Sequence, residues 1–194
     1  MVTAEIKNKL RLRFKELRNK QEAPSRDALN NMFKIVIEEI GEAETIFCYV
    51  SYDYEVPTHE FIKQLLAAGK TVLVPKCVND EMYAISCEDF DKLEPSSIGI
   101  LRPAETLKEL QAQGRVYSKE KIDVAIVPIL AFYEMFRLGY GGGNYDKFLK
   151  NTKIKKIGIA HEFSKTEIDF SEPHDVPMDV IVATNGEIYR KKTV

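Results

Sequence analysis

The chain has 194 residues, of which 44% are hydrophobic and 30% charged, and it carries a formal net charge of -2 at pH 7. This is the composition of a globular chain long enough for one substantial core, which excludes an intrinsically disordered protein. The near-neutral balance also excludes a global field that would draw the chain to nucleic acid or to an anionic membrane.

Ile6, Leu10, Phe14 and Leu17 recur at helical spacing, so residues 3–20 are expected to form an amphipathic helix. Its outer face is basic, with Lys7, Lys9, Arg11, Arg13, Lys15, Arg18 and Lys20 against Glu5 and Glu16. Ser25 can cap a second helix, buried through Leu29, Met32, Phe33, Val36 and Ile40 and ended by Gly41. A strand over Thr45–Val50, a loop to Pro57, a helix over Thr58–Ala68 and a strand over Thr71–Pro75 then make a β-α-β unit with parallel strands.

Residues 79–118 are less regular, with a short strand at Met82–Ile85 and a short helix at Thr106–Gln113. A strand over Ile122–Val127 stops at Pro128, and a loop and a glycine-rich run lead into a helix over Asn144–Lys150. Strands at Lys156–Ala160 and Val180–Ala183 complete the pattern, the latter as the last. The expected fold is α/β: three layers, a mainly parallel sheet with helices on both faces, in a single domain over 1–194. Residues 1–41 are expected to form helices packed on that sheet.

Cys48, Cys77 and Cys87 form no CxxC pair and have no histidine at ligand spacing, so neither a disulfide framework nor a zinc site is expected. The first residues have no apolar signal region and no window is long enough to span a bilayer, which predicts a cytoplasmic protein.

Ligands of open α/β sheets bind outside the carboxyl ends of the strands. One segment placed there is Arg137-Leu-Gly-Tyr-Gly-Gly-Gly-Asn-Tyr-Asp146. Gly139, Gly141, Gly142 and Gly143 let backbone amides approach an anion, the next helix offers its amino end, and Arg137 supplies a forked cation. Asp146 could hold a magnesium ion accompanying a phosphate. The run lacks the Lys-Ser/Thr of a Walker loop, and Asn144 stands where a dinucleotide fingerprint needs its third glycine.

The second segment is the loop holding Tyr52, Tyr54 and Glu55, whose carboxylate could accept hydrogen bonds from a polar heterocycle. Lys7 and Arg11 lie one turn apart on the first helix and could complete a polyphosphate site; spacing alone leaves a solvated face or weak nucleic-acid binding open. His161, His174 and Asp175 join no Ser or Cys in a nucleophilic constellation, and His59 is expected on a helix surface.

The ordered set Lys7–Arg11, Glu55-Val-Pro-Thr58, Val127-Pro128, Ala131-Phe132, Arg137–Asp146, His174-Asp175 and Asp179 resembles the 5-formyltetrahydrofolate cyclo-ligases, over nearly the whole chain. The resemblance implies MgATP and conversion of 5-formyltetrahydrofolate to 5,10-methenyltetrahydrofolate, ADP and phosphate. The formyl oxygen would attack the γ-phosphate, and N10 would then close the ring with loss of phosphate.

By the same resemblance Lys7 and Arg137 act in catalysis. Lys7, Arg11, Arg137, the four glycines and Tyr145 would contact ATP, while Arg11, Tyr52, Glu55, Tyr140 and Asn144 would line the folate pocket. Asp146 and Asp179 would hold Mg2+. The partners implied are a reduced folate and ATP, without nucleic acid or membrane, in a monomer. Asn144 stands where the family has tyrosine, Ile129 where glycine commonly follows Val-Pro, and Tyr133–Phe136 lacks the usual Asp and Gly. These departures leave a nucleotide- or folate-binding regulatory relative of low activity as the alternative.

Overall fold

The computed structural model describes residues 4–191. Helix α1 (Ala4–Lys20) matches the expected first helix, except that Thr3 lies outside the described residues. Helix α2 (Arg26–Ile40) starts at the Ser25 cap, whose hydroxyl accepts from the Ala28 amide at 3.2 Å, and ends at Gly41 with φ +58°. Strand β1 (Thr45–Cys48) is two residues shorter than its apolar run. Tyr49 and Val50 stay buried beyond it, so apolarity continued where strand pairing had ended.

Helix α3 (His59–Ala67) leads to β2 (Thr71–Val78), which runs three residues past the expected end at Pro75. It turns through Asn79 and Asp80, at φ +49° and +60°, into β3 (Glu81–Ser86). Two successive positive-φ residues of this kind build a hairpin turn matching strand twist, a signal present in the sequence. Short strands β4 (Glu94–Pro95) and β5 (Leu101–Arg102) precede α4 (Leu107–Ala112), where Thr106 and Glu109 form a reciprocal capping box.

After β6 (Val116–Tyr117), β7 (Val124–Pro128) includes the proline expected to stop it. Strands β8 (Ala131–Tyr133) and β9 (Phe136–Leu138) form a hairpin where a loop was expected. Helix α5 (Asn144–Leu149) follows the glycine run, and β10 (Lys155–Ala160) and β11 (Val180–Ala183) follow it. β11 is not the last strand: Asn185 and Gly186 turn the chain back into β12 (Ile188–Arg190).

Among the described residues the main sheet has the order β12-β11-β10-β7-β1-β2-β3-β6. The five strands from β11 to β2 are parallel, and β12, β3 and β6 close the edges antiparallel. The chain leaves β1 toward β2 and later returns to its other side as β7. That reversal opens a crevice at the carboxyl ends of β1 and β7.

Alternation along the strands sends side chains to both faces. Ile46, Val72, Ile126 and Ile159 pack with Met32, Val36 and Phe61 of α2 and α3. Phe47, Leu73, Val127 and Ile181 face Phe132, Phe148 and Leu149 on the other side. α1 is the exception to the expected packing on the sheet. Its Leu10 and Phe14 bury instead against Leu130, Ala131, Leu138 and Phe170, so it sits on the β8–β9 hairpin.

Two aspartates tie the amino ends of neighbouring parallel strands. Asp123 accepts from the Glu44 and Thr45 amides at 3.0 and 2.8 Å, and Asp179 from the Lys156 amide at 2.8 Å.

Ile129 lies over Gly158, and a Cβ on Gly158 would come within 2.4 Å of Ile129 Cδ1 and 3.2 Å of Met178 Cγ. Overpacking of this kind costs about 1–3 kcal/mol. Gly158→Ala is therefore expected to lower unfolding stability in urea by that amount, and Ile129→Ala to create a cavity. In the double variant the new methyl enters the vacated space, so the combined loss should be smaller than the sum; strict additivity would refute the contact.

Candidate active site

The crevice holds a cavity of about 860 Å³, lined by α1, the loop after β1, the β2–β3 hairpin, the glycine run and the segment before β11. Arg137, on β9, is buried, and its Nη2 donates to Asp146 Oδ2 at 2.8 Å while its guanidinium stacks 5.1 Å from the Tyr145 ring centroid. A Cβ on Gly139 would stand 2.6 Å from Arg137 Nη1, so that glycine exists to let the guanidinium pass. Gly141 and Gly143 lie at φ +112° and +65°, which favour glycine, and Gly143 is the residue before α5. Among the described residues, no amide of Gly139, Gly141, Gly142 or Gly143 donates to a protein acceptor. Free amides beside a cation are the elements of an anion cradle.

Docking on the hairpin brings the cations of α1 to this cradle. Arg11 Nε donates to the Gly139 carbonyl at 2.9 Å. Lys7 Nζ lies 2.6 Å from Glu172 Oε2 and 2.8 Å from Asp175 Oδ2. Burial alone would lower the Lys7 pKa, but hydrogen bonds to Asp175 and Glu172 outweigh it and raise the value, so the ammonium stays charged. Lys147 of α5 and Lys150 just after it add two further cations to the wall.

The carboxylates gather on the same side. Asp146 Oδ1 accepts from the Val176 amide at 3.2 Å, which sets Asp146 beside Asp175. Glu172, His174 and Asp175 present ligand atoms within 4.8 Å of one another. Asp179 is not among them, which corrects the expected metal pair. Its carboxylate is committed to the Lys156 amide and to Lys156 Nζ at 3.0 Å, at the amino ends of β10 and β11 and opposite the crevice. It does for β10 what Asp123 does for β1.

The other half of the cavity is more apolar, with Val50, Pro75, Met82, Ile98 and Pro128 around Glu55. The Tyr52 amide donates to Glu55 Oε2 at 3.0 Å, but burial pushes the Glu55 carboxyl up to about 7 against that bond and the Arg18 charge. Tyr145 and Tyr140 line this half with Asn144, whose Nδ2 lies 3.8 Å from Cys77 Sγ. Burial raises both phenols, Tyr145 well above the usual range. Tyr52 does not reach the cavity. It lines a separate cleft with Glu55, and its ring packs on Gly99, 2.8 Å from where a Cβ would be.

Of the histidines, His59 is not on an open helix surface: it is half-buried, bonded to the Ser51 carbonyl at 2.9 Å and set against Phe90. His161 is buried against Phe163 and the Tyr54 carbonyl, and burial lowers it to about 4. The sequence reading placed Arg18 on the basic outer face of the first helix and gave it no role, although it continues the stripe of Lys7, Arg11 and Phe14 at helical spacing. It is buried and reaches the Tyr140 hydroxyl at 2.9 Å and the Ile129 carbonyl.

A cationic glycine-rich cradle, a carboxylate cluster and a heterocycle-sized half-apolar pocket at a topological switch point define a nucleotide-dependent α/β enzyme. Comparison with known proteins makes the class specific. The 5-formyltetrahydrofolate cyclo-ligase family model matches residues 3–184, and the chain belongs to that family. The 5-formyltetrahydrofolate cyclo-ligase of Escherichia coli (strain K12) is 31% identical over 146 residues, covering 72% of this chain and 78% of the relative. That of Saccharomyces cerevisiae is 28% identical over 168 residues, covering 77% and 80%. The fold matches the NMR structure of Aquifex aeolicus 5,10-methenyltetrahydrofolate synthetase with TM-score 0.79 at 24% identity, over 97% of this chain and 96% of that one.

Gly139→Ala tests the cradle, because the added methyl must displace Arg137. Nucleotide triphosphate affinity measured by calorimetry is expected to fall by roughly tenfold or more, the loss of a charged hydrogen bond; unchanged affinity would mean that Arg137 does not hold phosphate. Glu55 gives a second test. Its folded value of about 7 lies above the ordinary 4.5, so its stabilising protonated form is complete below about pH 4.5 and lost as pH rises through 7. Thermal melting of Glu55→Gln should therefore gain on the native chain steadily from pH 5 to about pH 8, and parallel profiles would contradict the burial of the carboxyl.

Proposed function

We propose that the chain closes the ring of 5-formyltetrahydrofolate to 5,10-methenyltetrahydrofolate, converting ATP to ADP and phosphate. The observation that carries this reading is the gathering of Arg137, Arg11 and Lys7 with the free amides of the glycine run in one cavity that Glu55 also lines. The formyl oxygen takes the γ-phosphoryl group, N10 then attacks the activated carbon, and phosphate leaves with the former formyl oxygen. Such a transfer depends on alignment and charge neutralisation and uses no protein nucleophile.

Arg137 and the glycine amides bind and orient the triphosphate, with Arg11 and Lys7 closing over it from α1. Glu55 accepts hydrogen bonds from the pterin edge, and Tyr140, Tyr145 and Asn144 bound the ring. Because burial pushes the Glu55 carboxyl up to about 7, hydrogen-bond donors of a bound ligand favour its charged form.

The carboxylates suit magnesium, a hard cation that takes oxygen ligands, and they already hold one positive charge, the Lys7 ammonium. Asp146 and Asp175, with Glu172 at the rim, would hold it, and Mg2+ bound there would offset phosphate charge. We further read the protein as a monomer acting as one domain in the cytoplasm. Among the described residues Cys48, Cys77 and Cys87 are all free, as a reducing compartment keeps them, and no helix is long and apolar enough to cross a membrane.

The direct test is absorbance of the methenyl product from 5-formyltetrahydrofolate and MgATP. Product is expected, and Arg137→Ala should lower kcat/KM by about 10²–10³, the effect of removing one preorganised donor to a developing charge. Tight folate and ATP binding without product or ADP would sink the catalytic reading and leave a binding protein.

A further inference from the structure

Arg18 is buried at 4% exposure, yet its guanidinium bonds two oxygens without formal charge, the Tyr140 hydroxyl and the Ile129 carbonyl. Its Nε is buried and unpartnered among the described residues. A buried cation without a counter-ion is unfavourable to folding, and an apolar side chain would extend the stripe of Leu10 and Phe14 at no such penalty. The charge is therefore explained by the site and not by helix packing.

Its two partners show what it serves. Ile129 directly follows β7 and Tyr140 lies within the glycine run, so one planar fork joins the two ends of the β8–β9 hairpin that presents Arg137. A guanidinium holds two acceptors in fixed relation, as an ammonium does not. Arg18 does not line the cavity itself, and its charge reaches Glu55 from behind Tyr140, which does.

We propose that Arg18 is a positioning residue for the folate half of the site, holding Tyr140 against the end of β7 and supplying Glu55 with a fixed positive charge. It rests on the reading that this half takes a reduced folate. Around Glu55 stand Asp53 and the Tyr52 amide from its own loop, Tyr49 from the exit of β1, Tyr140 and Tyr145 from the glycine run and α5, and Arg18 from α1. Lys7, Arg11 and Arg137 line the same cavity and Arg26, His59 and Glu60 the cleft on its other side, but among the described cations Arg18 is the one whose charge acts on Glu55. Its charge favours the Glu55 carboxylate, while Asp53 opposes it.

The test compares Arg18→Met and Arg18→Lys in the full chain. The Glu55 carboxyl is titrated by carbon NMR without ligand, assigned through Glu55→Gln, and KM is measured for both substrates. In Arg18→Met the Glu55 midpoint should rise, the pH–rate profile should follow it, and KM for 5-formyltetrahydrofolate should increase roughly tenfold or more while KM for ATP changes little. Arg18→Lys keeps the charge and loses the fork, so its midpoint should stay near the native value while the folate KM still rises. An unmoved midpoint in Arg18→Met, or equal losses for both substrates, overturns the proposal, since a packing defect alone gives that result. If Arg18→Met does not fold, an unchanged folate KM in Arg18→Lys overturns it. Absence of turnover in the native chain would remove the assigned activity, and the Glu55 midpoint would still decide whether Arg18 sets its charge.

Discussion

Burial of Leu10 and Phe14 of α1 on the β8–β9 hairpin, and not on the sheet, is the contact on which the site depends. Fully burying such side chains contributes about 1.5–3 kcal/mol each, enough to fix the rotation of a helix. Once that rotation is fixed, Lys7, Arg11 and Arg18 follow on or beside the buried stripe. Lys7 reaches the carboxylates before β11, Arg11 the Gly139 carbonyl, and Arg18 the glycine run. A basic helix that solvates on one face in most proteins here lends Lys7 and Arg11 to the cavity and sets Arg18 behind its wall.

The hairpin is in turn held from the far side. Phe132 and Met135 face the sheet, and Met178 donates its amide to the Met135 carbonyl. The hairpin is thus a small layer between α1 and the sheet, and it carries Arg137 at its centre. Gly139 allows the Arg137 side chain to cross the loop, Tyr145 stacks on it and Asp146 pairs with it. The guanidinium is buried and oriented before any ligand arrives. That is the preorganisation that makes a charge useful in transferring a phosphoryl group.

The strands of the core were legible in the sequence because their apolar runs are continuous and bounded by turn residues, as in Val124–Pro128 and Val180–Ala183. The glycine run and Arg137 were legible because four glycines near a strand and before a helix have few purposes. The hairpin β8–β9 was not, since Ala131–Leu138 is apolar on both sides of Glu134, whose φ of +49° makes the turn without a glycine. The hairpin into β12 was missed despite an Asn-Gly signal, because three residues of mixed polarity gave no strand period.

Asp179 is the instructive case, because the motif suggested a magnesium ligand and the backbone of β10 had already claimed its carboxylate. In a parallel sheet the first amide of each strand faces the residue before its neighbour's start, and an aspartate there satisfies it. Asp123 takes the first amide of β1 and Asp179 the second amide of β10. Both acidic residues immediately ahead of β7 and β11 are strand ties in this fold, a full strand length from the ligand-binding edge. Asp175, four residues earlier, is free of that duty because no strand has begun, and the chain between it and β11 carries it to the crevice side, where Lys7 meets it. The carboxylate side of the site is therefore set by where β11 starts, a boundary of structure that residue spacing along the motif does not encode.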